Sequence, residues 1–196
     1  MLTVIKPFCS EFHREGRMDR VLAKALENVP VRYILKAEEL ESIDLRGERL
    51  LFAVCLTEAG NNMECWRMLE CILSHPDCLA GCCAGVVVDG SSELFTKSMA
   101  RRLVFSANMA GCDFPGKPLI EATGSLYNFN VMGKVLGTDN LGAYEKQPEE
   151  LIKKLLYFKM PGARRPNILA VHASSRKTSN SLLLWELIRS RIENQA

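Results

Sequence analysis

Apolar and polar residues along this chain fall into blocks whose period switches repeatedly between that of a helix and that of a strand. Residues 17–29 (RMDRVLAKALENV) put Val21, Leu22, Ala25, Leu26 and Val29 at helical spacing, and Pro30 stops the run. Residues 31–37 (VRYILKA) alternate and read as a candidate strand. A polar stretch, 39–49, holds a turn at Gly47 and leads into LLFAVCL (50–56). An unbroken apolar run of this length suits a strand covered on both faces, as in a parallel sheet.

After a loop at 57–62, Cys65, Trp66, Leu69, Ile72 and Leu73 line one helix face, and AGVVVDG (84–90) is a second buried strand. Residues 91–111 read as a loop entering a helix, with Phe95, Met99, Leu103 and Met109 apolar and Lys97, Arg101 and Arg102 interleaved. GKPLIEATGS (116–125) predicts a third strand with Pro118 at its start, where a missing donor is tolerated. Gly133, Gly137, Asn140 and Gly142 interrupt 126–147, which predicts a long loop with a short helical piece. A helix is expected over 147–158, with Pro148 near its start and lysines toward its end. Beyond the breaker-rich 159–166 come a strand at 167–172, a hydroxyl-rich turn, and a helix with Leu184, Trp185, Ile188 and Ile192 as a buried stripe.

Strands alternating with helices predict an α/β fold with a largely parallel sheet and helices on both faces. Ligands of such sheets bind beyond the carboxyl ends of the strands, beside a topological switch point.

Composition narrows the function classes. The chain has 196 residues, is 47% hydrophobic and 24% charged, and carries a formal net charge of +2. That charge is too small for a nucleic-acid binder relying on a dense basic face, so no nucleic-acid partner is expected. No apolar run reaches the roughly 18–20 residues that span a bilayer, and no membrane association is expected. The opening MLTVIKPFCSEFHREGR lacks the charge and apolar pattern of a secretory leader, so a cytoplasmic location is expected.

The eight cysteines are then expected as reduced, mostly buried thiols. Cys71, Cys78, Cys82 and Cys83 follow a C-x6-C-x3-C-C spacing that matches no zinc pattern, so no metal site is expected, with an iron–sulfur site as the outlying alternative.

The segment ASSRKTSNS (173–181) holds the most suggestive chemistry. It offers five hydroxyls at Ser174, Ser175, Thr178, Ser179 and Ser181, positive charge at Arg176 and Lys177, and Ser179 as a candidate N-cap. First-turn N–H groups of the following helix point at the turn, and with the hydroxyls and Arg176 they can neutralise a phosphate dianion. The bland alternative is a well-capped surface helix. A second strand–loop–helix at 55–66 is weaker, because Glu58 would repel an anion. His172 reads as a packed histidine, and no catalytic residue is assigned.

ILAVHASSRKTSNSLLLWEL resembles the first strand, phosphate loop and helix of the NADPH-dependent FMN reductase and flavodoxin-like superfamily. Ala173 stands where that superfamily usually has Gly, while Ser174, Arg176, Ser179, Asn180 and Ser181 fit its phosphate loop, beside Thr178. The segments GVVVDGSSELFTKSMARRLVF and GKPLIEATGSLYNF resemble the middle of such a domain.

The resemblance implies a flavodoxin-like three-layer, doubly wound, mostly parallel sheet. Ser91, Ser92 and Glu93 would lie near one edge of the flavin ring, and Thr123, Gly124, Ser125 and Tyr127 near the other. The usual Pro-x-Tyr element is replaced by Asp89-Gly90-Ser91-Ser92. It further implies FMN as cofactor, NAD(P)H as hydride donor, a small-molecule electron acceptor and a homo-oligomer. On this basis the chain divides into an N-terminal segment, 1–46, and a flavodoxin-like domain, 47–196.

Three arrangements account for a first-strand motif placed so late: a circular permutation, the front part of a longer flavoprotein, or a coincidental likeness in an ordinary doubly wound sheet. The non-enzymatic alternative is an α/β partner-binding or regulatory protein without a ring site.

Overall fold

The computed structural model describes residues 1–9, 16–159 and 179–193. Its contacts divide the chain into two units, residues 1–160 and 161–196.

The first unit is a doubly wound α/β sheet. Its elements are β1 (Leu2–Ile5), α1 (Arg17–Ala25), β2 (Val31–Ile34), α2 (Ala37–Glu41), β3 (Arg49–Leu56), α3 (Met63–Ser74), β4 (Cys83–Gly90), α4 (Thr96–Met109) and β5 (Leu119–Ala122). A short 3-10 turn (Tyr127–Phe129), α5 (Asn130–Leu136) and α6 (Asn140–Tyr157) follow. All strand pairs are parallel, in the order β2-β1-β3-β4-β5. This is the flavodoxin-like order.

The unbroken apolar runs behave as the two-sided burial rule demands. Leu50, Phe52, Val54 and Leu56 of β3 face one core layer, with Leu69, Ile72, Met99 and Leu103 of α3 and α4. Leu51, Ala53 and Cys55 face the other, with Val21 and Leu22 of α1 and Leu151, Ile152 and Leu155 of α6. Burying each large aliphatic side chain stabilises the fold by about 1.5–3 kcal/mol. Gly85 permits the close seating of α6, since a Cβ there would meet Leu151 at 2.9 Å.

The structure differs from the sequence reading in several places. The strand between β2 and β3 is Leu2–Ile5, so the position that a permuted chain would fill from residues 167–172 is already taken. Those residues lie outside the described ones. β1 and β2 pair into the sheet, so the segment 1–46 is part of the α/β unit rather than an appendage to it.

The expected loop at 126–147 is mostly helical. Pro148 sits inside α6, where it has no N–H to donate to the Tyr144 carbonyl. On α3, Met68 is buried while Leu73 stands exposed; Phe95, just before α4, and Met109, at its end, are exposed.

In the second unit, α7 (Asn180–Glu193) forms where a helix is expected. Its stripe is not buried: Leu184, Ile188 and Ile192 are exposed and Trp185 is half-buried. Leucines at 182, 183 and 187 widen the apolar surface around the helix, so no single narrow face defines it.

Asn62 caps α3 from a buried position, accepting the Cys65 N–H at 2.9 Å and donating to the Cys55 carbonyl at 2.9 Å. Asn62→Ala is expected to cost about 2 kcal/mol in urea unfolding, because a cap and a buried carbonyl lose their partners together.

Candidate functional site

The carboxyl ends of the strands gather four loops. They follow β1 (6–16, of which 10–15 lie outside the described residues), β3 (57–62), β4 (91–95) and β5 (123–126). Strand order reverses at β1, whose following strand β2 lies on one side of it while β3, β4 and β5 lie on the other, and this makes the β1–β3 junction the switch point. Two cavities open there. One of about 410 Å³ is lined by Lys6, Phe8, Cys9, Asp19 and Cys55 among others. One of about 190 Å³ is lined by Phe8, Cys9, Thr57, Asn62 and Glu64 among others.

At the described end of the loop after β1, a carboxylate stands in the first turn of α1. Gly16 at the start of α1 has no side chain to cap it, and Asp19 occupies the first turn. Lys6 reaches Asp19 at 2.7 Å, so a cation bordering the cavity is already paired. A carboxylate at the positive end of a helix competes with any bound anion.

Beside this loop lies a buried ionic cluster. Arg17, at the first position of α1, grips Asp89 of β4, which is fully buried. Its Nε stands 3.1 and 3.0 Å from the two carboxylate oxygens, and an Nη bonds Oδ1 as well. The guanidinium also donates to the carbonyls of Gly124 (3.0 Å), Gly90 (3.2 Å) and Thr123 (3.2 Å). Tyr144 of α6 donates its hydroxyl to Asp89 Oδ2 at 3.3 Å. Burial, reinforced by the Asp89 charge, holds the Tyr144 phenol well above its usual range. The cluster thus ties α1, β4, the β5 loop and α6 at one point.

Every candidate ring residue is described, and the structure brings the two groups together. Gly124 N–H donates to the Ser92 carbonyl at 2.9 Å, and Ser125 N–H donates to Glu93 Oε1 at 2.6 Å. Gly124 is required by this approach, because a Cβ there would meet the Ser91 carbonyl oxygen at 2.6 Å. Ser91 is buried and its hydroxyl donates to the Leu56 carbonyl at 3.0 Å. Thr123 donates its hydroxyl to Asn128 at 3.1 Å. Tyr127 is 72% exposed, and its N–H donates to Ser125 Oγ at 3.1 Å. Two of these hydrogen bonds join the two loops, while the Ser91 and Thr123 hydroxyls bond Leu56 and Asn128.

The phosphate group of residues belongs to the second unit. Ser174, Arg176 and Thr178 lie outside the described residues. Ser179 does cap α7, its Oγ accepting the Leu182 N–H at 3.1 Å and its carbonyl accepting from Leu182 and Leu183. Asn180 and Ser181 open the helix, and Ser181 Oγ lies 3.1 Å from Ser179 Oγ.

Solved structures with a similar fold can now be set beside this one. Flavodoxin 2 from Bacillus cereus is 13% identical, with 78% of this chain covered, 98% of that one, and a TM-score of 0.51. The Trp repressor binding protein from Bacillus subtilis is 14% identical, with 82% and 100% covered and a TM-score of 0.51. The fold is flavodoxin-like. No protein-family model matches the sequence, and the comparison with curated proteins finds no match.

Arg17, Asp89 and Tyr144 were not singled out from the sequence as site residues. The signal for Asp89 was present, since an acid closing a buried valine run has to find a partner. No local pattern points to Arg17, 72 positions away.

The cysteines form no cage. Among the described residues there is no group of three or more His, Cys, Asp or Glu placed to hold a metal ion. Cys82 and Cys83 are buried free thiols, and burial pushes both up to about 11; it pushes Cys65 up to about 12. Iodoacetamide at neutral pH is therefore expected to label only the half-buried Cys9, Cys71 and Cys78, with all eight labelled after unfolding, as counted by mass spectrometry.

The same shifts set an alkaline limit. The unfolded chain gives up thiol protons near the ordinary value of 9.0, which the folded chain retains to about 11. Stability is then expected to fall as pH rises from 9.0 toward 11, as followed by urea midpoints.

Among the described residues no helix is long and apolar enough to cross a membrane.

Proposed function

We propose that this chain belongs to a flavin-dependent redox protein, with the FMN phosphate held by Ser174, Arg176, Thr178, Ser179, Asn180 and Ser181 of the second unit. The observation that carries the reading is the capped start of α7: Ser179 opens a 14-residue helix directly behind a hydroxyl-rich, arginine-bearing segment. First-turn N–H groups and Arg176 suit a dianion there. The flavodoxin-like fold of the first unit is consistent with such a system. FMN supplies hydride chemistry when bound, with NAD(P)H as donor and a small molecule as acceptor. The protein's part is to bind and orient, and a homo-oligomer is included in the proposal.

In this reading the carboxyl end of the first unit does not hold a flavin phosphate. Asp19 sits in the first turn of α1, at the described end of the β1 loop, and the loops at 91–93 and 123–125 bond each other. These features also favour a second reading, in which the first unit is a non-enzymatic partner-binding module.

Titration of the full chain with FMN and with riboflavin separates the two. Quenching of flavin fluorescence by FMN binding, with riboflavin at least about tenfold weaker, is expected from a phosphate site. Equal affinity, or no binding of either, would reject the phosphate assignment.

A further inference from the structure

The outer surface of α3 and α4 carries a groove of about 850 Å³, separate from the strand ends. Trp66, Leu69 and Leu73 line it from α3, and Arg101, Arg102 and Phe105 from α4. Leu69 is buried and forms the floor. Phe105 is 64% exposed, Leu73 is 53% exposed, and Trp66 is half-buried. Exposed apolar side chains grouped this way mark a docking surface more than scattered ones do.

The lining repeats at i, i+3 and i+7 on α3, and Arg101, Arg102 and Phe105 recur within one turn of α4. The α3 spacing extends over two turns, about 10 Å. A helix laid in such a groove engages it through apolar anchors at i, i+4 and i+7.

Charge selects the occupant. Arg102 lies 4.6 Å from the Trp66 ring centre, and neither Arg101 nor Arg102 has an ion-pair partner among the described residues. Among the described residues Glu70 is the only acid in the lining. A second copy of the chain complements this poorly. Its exposed stripe Tyr127, Val131, Val135 adjoins Lys134, and the apolar side chains of α7 are flanked by Arg189 and Arg191 as well as by Glu186, so they carry no continuous row of acids.

We propose that this groove docks an amphipathic helical segment of a partner protein, with three apolar anchors and a row of Asp or Glu along the edge facing α4. The inference stands independently of the flavin reading, because none of its residues belongs to either candidate site.

The test uses the full chain and a designed fluorescein-labelled helical peptide with Leu, Leu and Phe at i, i+4 and i+7 and glutamates along one edge. Fluorescence anisotropy is expected to show saturable binding that weakens with salt. It should fall about tenfold in Arg101→Glu/Arg102→Glu. Phe105→Ala should weaken it independently, and a peptide with lysines in place of the glutamates should not bind. Both variants alter exposed side chains, and unchanged thermal unfolding would show that they fold. Absence of binding, equal binding of the acidic and lysine peptides, or indifference to the charge reversal would overturn the proposal. So would a dimer in sedimentation that Phe105→Glu converts to monomer, since the groove would then be filled by a second copy.

Discussion

Asp89→Ala is expected to destabilise the first unit by about 3–5 kcal/mol, because it leaves the Arg17 guanidinium buried without its counter-charge. Arg17 is 7% exposed and Asp89 is fully buried, so water cannot replace the lost partner without opening the start of α1. The Tyr144 hydroxyl loses its carboxylate acceptor in the same change and keeps the weak one, Met18 Sδ at 3.7 Å. A domain with a typical stability of about 5–15 kcal/mol would keep little margin.

Arg17→Met should cost a similar amount by stranding the carboxylate. The double variant Arg17→Met/Asp89→Leu should recover part of the loss, because replacing both members of a buried pair by apolar groups removes the desolvation penalty. Urea midpoints for the four proteins complete the cycle. Strictly additive single losses would show that the pair does not act as a unit.

Arg176→Ala is expected to weaken FMN binding by about a hundredfold, the second large effect. A guanidinium facing a phosphate makes charge-assisted hydrogen bonds, often two in parallel, that a neutral donor cannot replace. Ser179→Ala should act more mildly. It removes the hydroxyl that accepts the Leu182 N–H, but the Ser179 carbonyl still receives Leu182 and Leu183. A loss of FMN affinity larger for Ser179→Ala than for Arg176→Ala would mean that the cap, not the charge, governs the site.

Residues differ in how plainly they announced their place. β3 and β4 were legible because their apolar runs are unbroken, as burial between two helix layers requires. β1 was not, since LTVI is too short to display a period and opens the chain. Its importance comes only from pairing with β2 and β3 on either side.

The α5–α6 region was misread because its glycines looked like breakers. Gly137 does end α5 with φ of 64°, but Gly133 and Gly142 lie inside helices. There they allow close approach: added Cβ atoms would meet the Thr138 carbonyl oxygen at 2.9 Å and the Thr138 hydroxyl at 2.2 Å.

The candidate site divides in the same way. The capping role of Ser179 was visible from its neighbours in sequence. The joining of 91–93 to 123–125 was visible only as two loops expected near one ligand. That they bond each other, and that Arg17 ties the Thr123 and Gly124 carbonyls and the end of β4 to α1, depends on contacts between segments more than 70 positions apart in the Arg17 case.

The most direct measurement is the visible absorbance of the full chain after incubation with FMN and desalting, repeated for Arg176→Ala and for Lys6→Ala. Flavin bands retained by the wild type and by Lys6→Ala, and lost in Arg176→Ala, are the predicted result; they would assign the phosphate to the second unit. A colourless wild type, or bands that survive Arg176→Ala and vanish with Lys6→Ala, would contradict that assignment.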